Sequence, residues 1–199
     1  MGNTMGNWSR AATATVTCGL VGALMLGVSG CSSSGTKAKK APQNLCAALP
    51  APELAQLKLG KDTLPSSQTA SYSSSAECEI VAVQGDTSAD SGTLDVEWSS
   101  HGDRKKSSRA ERSAKTRFES GRNAANRICN GAAPVIDKFG SAAVVCVKPG
   151  VGSGRTEARL AVRDGRQVVT IAYYGPEKDP ARIQAALRRV AETSLAAKG

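Results

Sequence analysis

The residue with the most specific chemistry in this 199-residue chain is Cys31, which closes the tetrapeptide Val28-Ser29-Gly30-Cys31. A membrane peptidase needs small side chains beside the bond it cuts, and Ser29 and Gly30 supply them. The thiol of Cys31 is then a nucleophile able to accept a diacylglycerol. Of the six cysteines, Cys18 would leave with the upstream segment, and Cys46, Cys78, Cys129 and Cys146 remain. Four cysteines in an exported domain read as two disulfides, for which three connectivities exist. The layout favours Cys46–Cys78, pinning a short helix to the first strand, and Cys129–Cys146, joining the end of a long helix to the next strand. Each such bond contributes about 2–4 kcal/mol. Zinc ligation is the alternative, but the four are widely spaced and form no C-x-x-C pair.

Val28 to Cys31 resembles the lipobox of bacterial lipoproteins, in which Leu is usual three residues before the cysteine and Val is an accepted variant. The preceding sequence agrees. Arg10 is its only charge, and Ala11 to Gly30 carries none. About twenty uncharged residues could also span a bilayer as an uncleaved anchor. Richness in Gly, Ala, Ser and Thr, ending on the cysteine, favours a signal peptide over 1–30. A lipidated cysteine and flexible tether are then expected over 31–44, and a single extracytoplasmic α+β domain over 45–199. The tether has no apolar periodicity. Its Lys37, Lys39 and Lys40 would each add about 1 kcal/mol of attraction to anionic head groups if held near the surface, or serve only to keep the linker soluble.

Other candidates for chemistry are weaker. His101 is the only histidine and falls in a polar turn, Ser100-His101-Gly102-Asp103, where a solvated loop position is expected rather than a triad. Gly150-Val151-Gly152-Ser153-Gly154-Arg155 looks like a phosphate loop, but it lacks the Lys-Ser/Thr ending and leads into a strand, so it reads as a turn. Glu77 with Glu79, and Asp95 with Glu97, share strand faces and could form carboxylate pairs, although exposed strand faces commonly look like this. No catalytic residue, metal ligand or cofactor site is assigned.

The chain carries a formal net charge of +9. Removing Arg10 leaves 25 basic against 17 acidic residues, a balance of +8. Such a balance favours anionic partners. Export and the scarcity of basic–aromatic interleaving argue against nucleic acid. From Asp103 to Arg127 there are nine basic and three acidic residues, so one segment holds most of the excess.

These residues must be positioned by a small set of elements. Leu45 to Gly60 predicts a short helix, with Pro52 in a first turn and Leu54 and Leu57 on one face. Asp62 to Ala76 is Ser/Thr-rich and reads as a loop. Glu77 to Val83 and Thr93 to Ser99 alternate as strands of a hairpin, the second with Leu94, Val96 and Trp98 inward. Arg104 to Ile128 is the longest helical pattern, with Ala110, Ala114, Phe118, Gly121, Ala125 and Ile128 on one side. Lys105, Arg109, Arg112, Lys115, Arg122 and Arg127 occupy the other, either as a solvated face or as a contact for anionic envelope surfaces. Ala142 to Val147 reads as a buried strand. Thr156 to Arg163 and Arg166 to Tyr174 form a hairpin on Asp164-Gly165, with both turn residues expected at positive φ. Asp179-Pro180 starts a last helix with Ile183, Leu187, Val190 and Ala191 buried. The fold expected is α+β: a mainly antiparallel twisted sheet of about five strands, covered by two long helices and one short N-terminal helix.

Leu45-Cys46-Ala47-Ala48-Leu49, leading through Pro52-Glu53-Leu54-Ala55 to Leu59-Gly60, is similar to the start of a secreted lipoprotein family of actinobacteria known only as a domain of unknown function. Members place a second cysteine in a strand, as Cys78 is here, often with Trp two residues later, where this chain has Ile80. The resemblance implies a lipid-anchored protein on the extracytoplasmic face of the cell membrane, without an established activity. The expectation is a non-enzymatic binding module, its partner an anionic envelope polymer or another envelope protein. An envelope hydrolase using carboxylates, or a structural spacer, are the alternatives.

Overall fold

The computed structural model describes residues 35–81, 91–152 and 154–199. The expected signal peptide and Cys31 lie outside the described residues. Four helices and six strands follow in the order α1 (Leu45–Ala48), α2 (Ala51–Gln56), β1 (Asp62–Thr69), β2 (Ser73–Val81), β3 (Thr93–His101), α3 (Ser107–Cys129), β4 (Ala142–Val151), β5 (Arg155–Asp164), β6 (Gln167–Gly175) and α4 (Pro180–Ala196). All strands join one sheet in the order β1-β2-β3-β6-β5-β4, every neighbour antiparallel. The sheet is thus two three-stranded meanders joined edge to edge by β3 and β6, where Val96 faces Ile171 and Trp98 faces Val169.

The sixth strand is β1, expected as a loop. All eight of its residues are exposed, so no apolar alternation marks it. Pro65 sits opposite Cys78 within it. Proline lacks an N–H and is tolerated at a sheet edge, which is where β1 lies. The β5–β6 turn also differs by one residue. Asp164 pairs with Gln167, so the central residues are Gly165 and Arg166, of which only Gly165 has positive φ (56°). A glycine at the first central position, with positive φ there alone, is the II′ form of the tight hairpin.

The two faces of the sheet are covered unequally. One face carries Cys78, Ile80, Leu94, Val96, Trp98, Leu160, Ile171 and Tyr173, all buried beneath α4, α1 and α2. Asp179 caps α4, its carboxylate accepting from the Ala181 and Arg182 N–H groups at 3.0 and 3.3 Å, and Ile183, Leu187, Val190 and Ala191 are buried as the spacing requires. Tyr173 Oη donates to the Leu57 carbonyl and accepts from the Glu177 N–H, both at 3.1 Å. Those two bonds tie the end of α2 to the entry of α4, and burial pushes the phenol up to about 12.

On the other face α3 packs mainly over the β4–β6 half, against Val144, Cys146, Ala161 and Val168, and beyond it touches β3. Its buried stripe is Ala110, Ala114, Phe118 and Ala125, small residues that let the helix lie close. Gly121 makes the closest approach: a Cβ there would stand 2.7 Å from Thr170 Cγ2 and 2.8 Å from Ala161 Cβ. The helix ends at Asn130, in the left-handed region at φ 54°. Its start is electrostatically unfavourable. Arg104, Lys105, Lys106 and Arg109 surround a helix N-terminus, where each positive charge costs about 0.3–1 kcal/mol. Asp103 offsets this, accepting from the Lys105 and Lys106 N–H groups at 2.7 Å. The Lys106 bond first, then that of Lys105, holds its carboxyl below the ordinary range.

Two disulfides staple the domain. Cys46–Cys78 joins α1 to β2 with Cα atoms 5.0 Å apart, and Cys129–Cys146 joins α3 to β4 at 6.0 Å. These are the two pairings that the layout favours, and sulfurs joined in this way are not free to ligate zinc.

The expected tether is not free along its described part. Thr36 pairs with Asp103, donating at 2.9 Å and accepting at 2.8 Å. Ala38 N–H donates to the Ser71 carbonyl at 3.1 Å, Lys39 N–H to Ser100 Oγ at 2.8 Å, and Ala41 N–H to Thr69 Oγ1 at 3.1 Å. Ala41 is buried. Residues 35–41 therefore form a strap across the end of the sheet where β3 finishes and α3 begins. Its polarity concealed this: the bonds are made by its backbone, which composition does not report.

Candidate functional site

Because α3 is centred on the β4–β6 half and reaches no farther than β3, the outward residues of β3 lie along its edge and those of β2 lie beyond it. Alternation puts Glu77 and Glu79 of β2 and Asp95 and Glu97 of β3 there. The register sets Glu77 directly opposite Glu97, and Glu79 opposite Asp95. Two carboxylate pairs expected separately on their own strands are thus one four-carboxylate group. Like charges directly opposed across strands are destabilising by about 0.2–1 kcal/mol a pair, so this arrangement is not explained by sheet stability.

Two basic residues border the group. Arg117, projecting from the flank of α3, is ion-paired with Glu97, whose Oε2 also accepts from Thr170 Oγ1 at 2.9 Å. Arg159 on β5 contacts Glu157 at 3.4 Å. Between α3 and the sheet these side chains line a cleft of about 150 Å³, with Asp95, Glu97, Arg117, Ser120, Arg159 and Thr170 in its walls. A shallower depression of about 320 Å³ adjoins it along β3 and β6, reaching Tyr174 and sharing Asp95 and Arg159.

Asp95 is the perturbed group of the cleft. Burial first, then the charges of Glu97, Glu77 and Glu79, push its carboxyl up to about 6, with Arg159 opposing. Its Oδ1 is buried without a hydrogen-bond partner. A carboxyl that keeps its proton to about pH 6 beside an ion-paired Glu97 can donate and accept at one place. The native state binds this proton more tightly than the unfolded chain does, so stability contributed by Asp95 is lost as pH rises from about 4 to about 6. Asp95→Asn is expected to remove that slope and to raise the thermal midpoint above pH 6. A variant whose midpoint follows that of the wild type at every pH between 4.5 and 7.5 would show that Asp95 titrates normally.

His101 is the last residue of β3 rather than a loop residue, and it is half-buried. Its Nε2 lies 3.4 Å from Ser99 Oγ. Burial first, and then the Arg117 charge, lower its pKa. A nucleophilic triad requires a carboxylate to stabilise the imidazolium; the charge felt here is a cation, which opposes it. Of the Gly150–Arg155 stretch, Gly150 and Val151 end β4 and Arg155 opens β5, with Gly150, Gly152 and Gly154 at positive φ. Lys105, Arg109, Arg112, Lys115, Arg122 and Arg127 are all exposed, and Arg122 contacts Glu119 at 2.5 Å. They lie on the outer side of α3, not in the cleft.

Arg117, Arg159 and Thr170 were not distinguished in the sequence. Arg117 immediately precedes buried Phe118 and so flanks the apolar stripe, which is the one signal that could have separated it from the solvated basic face.

Neither protein-family models nor curated proteins give a match to this chain. Among the described residues no helix is long and apolar enough to cross a membrane.

Proposed function

We propose that the protein is a lipoprotein anchored through Cys31 to the extracytoplasmic face of the cell membrane. In this reading it is a non-enzymatic binding module that holds a polar envelope component in the cleft beside α3. The anchor rests on Val28-Ser29-Gly30-Cys31 and the uncharged run before it. Membership of the actinobacterial lipoprotein family rests on the residues between Leu45 and Gly60. The observation that carries the binding role is the cleft itself, lined by Asp95 and Glu97 on one side and Arg117 and Arg159 on the other. Walls of both signs, open to solvent and without an activated nucleophile, suit recognition of a ligand with mixed charge or hydrogen-bonding groups.

Mass analysis of the processed N-terminus should find diacylglycerol on Cys31, and Cys31→Ser should leave an uncleaved precursor. A wild-type protein without lipid there would refute the anchor. Retention of the wild-type protein on isolated envelope should fall about a hundredfold in Arg117→Ala/Arg159→Ala, the loss expected from two charge-assisted contacts of about 1.5 kcal/mol each. Equal retention would remove the cleft from the binding role.

One observation favours a second reading. Asp95, protonated to about pH 6, stands beside Glu97 as a general acid stands beside a carboxylate in a hydrolase. Turnover of an envelope glycan by the wild type, abolished in Asp95→Asn, would establish it in place of simple binding.

A further inference from the structure

The strap fixes which end of the domain can approach the membrane. Thr36 is bonded to Asp103, and it lies five positions along the chain from Cys31. Even fully extended, that length reaches about 18 Å. Gathered at the same end are Gly35 to Ala38, the β1–β2 turn at Tyr72, whose carbonyl accepts from the Gly102 N–H at 2.8 Å, and the Gly102–Lys106 approach to α3. Lys37, Lys40, Arg104, Lys105, Lys106 and Arg109 are exposed there. So is Tyr72, at 38% one of three large apolar side chains exposed among the described residues.

We infer that this strap end is a membrane-docking surface for anionic lipid head groups. The inference rests on the Cys31 anchor proposed above. It specifies what that anchor does not: the orientation of the domain, and the residues that face the lipid. Basic side chains held within a few ångströms of the bilayer are drawn to anionic head groups. Tyr72 has the amphipathic ring enriched at that interface. The short chain keeps both near the surface, so docking follows anchoring without a further partner. A soluble wall polymer is the competing anion, but it offers no reason for the tyrosine or for the short reach to Cys31.

This orientation divides the basic face of α3. Arg127 lies eighteen residues beyond Arg109, about 27 Å along the helix. Docking by the strap end alone requires Lys105 and Lys106 to lie within a Debye length of the bilayer, about 8 Å at physiological salt, and Arg122 and Arg127 to lie beyond it. Lys105 and Lys106 should therefore matter, and Arg122 and Arg127 should not.

The test uses the full chain as it is processed, reconstituted in vesicles of phosphatidylglycerol with phosphatidylcholine or of phosphatidylcholine alone. Amide exchange of 70–73 and 102–106 should slow on the anionic vesicles only, and recover in about 0.5 M salt. Lys105→Glu/Lys106→Glu should abolish that protection, while Arg122→Glu/Arg127→Glu, with the same change of charge, should leave it intact. Protection at the far end of α3, equal loss in both double variants, or protection that persists on neutral vesicles would overturn the inference. So would equal protection by a soluble anionic polymer. The mass of the N-terminal peptide reports the anchor separately. If Cys31 proves unlipidated, flotation of the full chain with anionic vesicles still decides, since Lys105→Glu/Lys106→Glu should lower recovery about tenfold and Arg122→Glu/Arg127→Glu should not. Equal recovery would reject the docking surface independently of the anchor.

Discussion

Cys46→Ala/Cys78→Ala should lower the stability of the domain by about 3–4 kcal/mol, the cost expected for opening a loop of this size. The bond closes a separation of 32 residues. It also does what α1 cannot do alone, because a four-residue helix is far below the length at which helices hold themselves together. Leu45 is fully buried against the sheet, and its docking depends on α1 staying at β2. For a domain of this size the loss corresponds to a drop of about 10 °C in the thermal midpoint. Scanning calorimetry of the double variant, with Cys129–Cys146 intact, would measure it. A shift below about 3 °C would mean that α1 is held by packing alone.

Gly121→Leu should cost about 3 kcal/mol, at the upper end of ordinary overpacking. Glycine inside a helix is normally a weakness, so a surface position would gain from replacement. Here a Cβ would fall under 3 Å from both Thr170 and Ala161. Ala161 has no side-chain freedom with which to retreat, and Thr170 is bonded to Glu97. Relief requires α3 to lift from the sheet, carrying Arg117 away from Glu97. The variant should lose envelope retention along with stability. Arg117→Ala should lose retention while its thermal midpoint moves by less than 2 °C, the scale of a surface ion pair. A Gly121→Leu protein as stable as wild type would show that the helix sits farther from the sheet than described.

Much of the fold was legible because burial writes itself into periodicity. Leu94, Val96 and Trp98 alternate, Ile183, Leu187 and Val190 recur at helical spacing, and each set is buried. Where burial is absent, the signal disappears. β1 is an exposed edge strand of Ser, Thr, Gln and Pro, and it is held by backbone bonds to β2. The strap is the same case. The candidate cleft was legible only in parts. Glu77, Glu79, Asp95 and Glu97 could be placed on strand faces, but their meeting depends on the β2–β3 register. Thr170 joins them only through the β3–β6 pairing, which sets it opposite Glu97, and Arg159 only through the further β5–β6 pairing, which no local pattern encodes.

The β3–β6 pairing has a kinetic consequence. Within each meander, strands are neighbours in the chain, and each half has its own covalent link, Cys46–Cys78 or Cys129–Cys146. Hairpins of this kind close over short loops and form early. The β3–β6 seam must instead close Thr93 onto Tyr174, across α3 and two strands, so it sets the contact order of the domain. Folding should thus be limited by the meeting of two partly built halves. Substitutions at Val96 or Ile171 should slow folding, whereas losses at the β1 edge should chiefly speed unfolding.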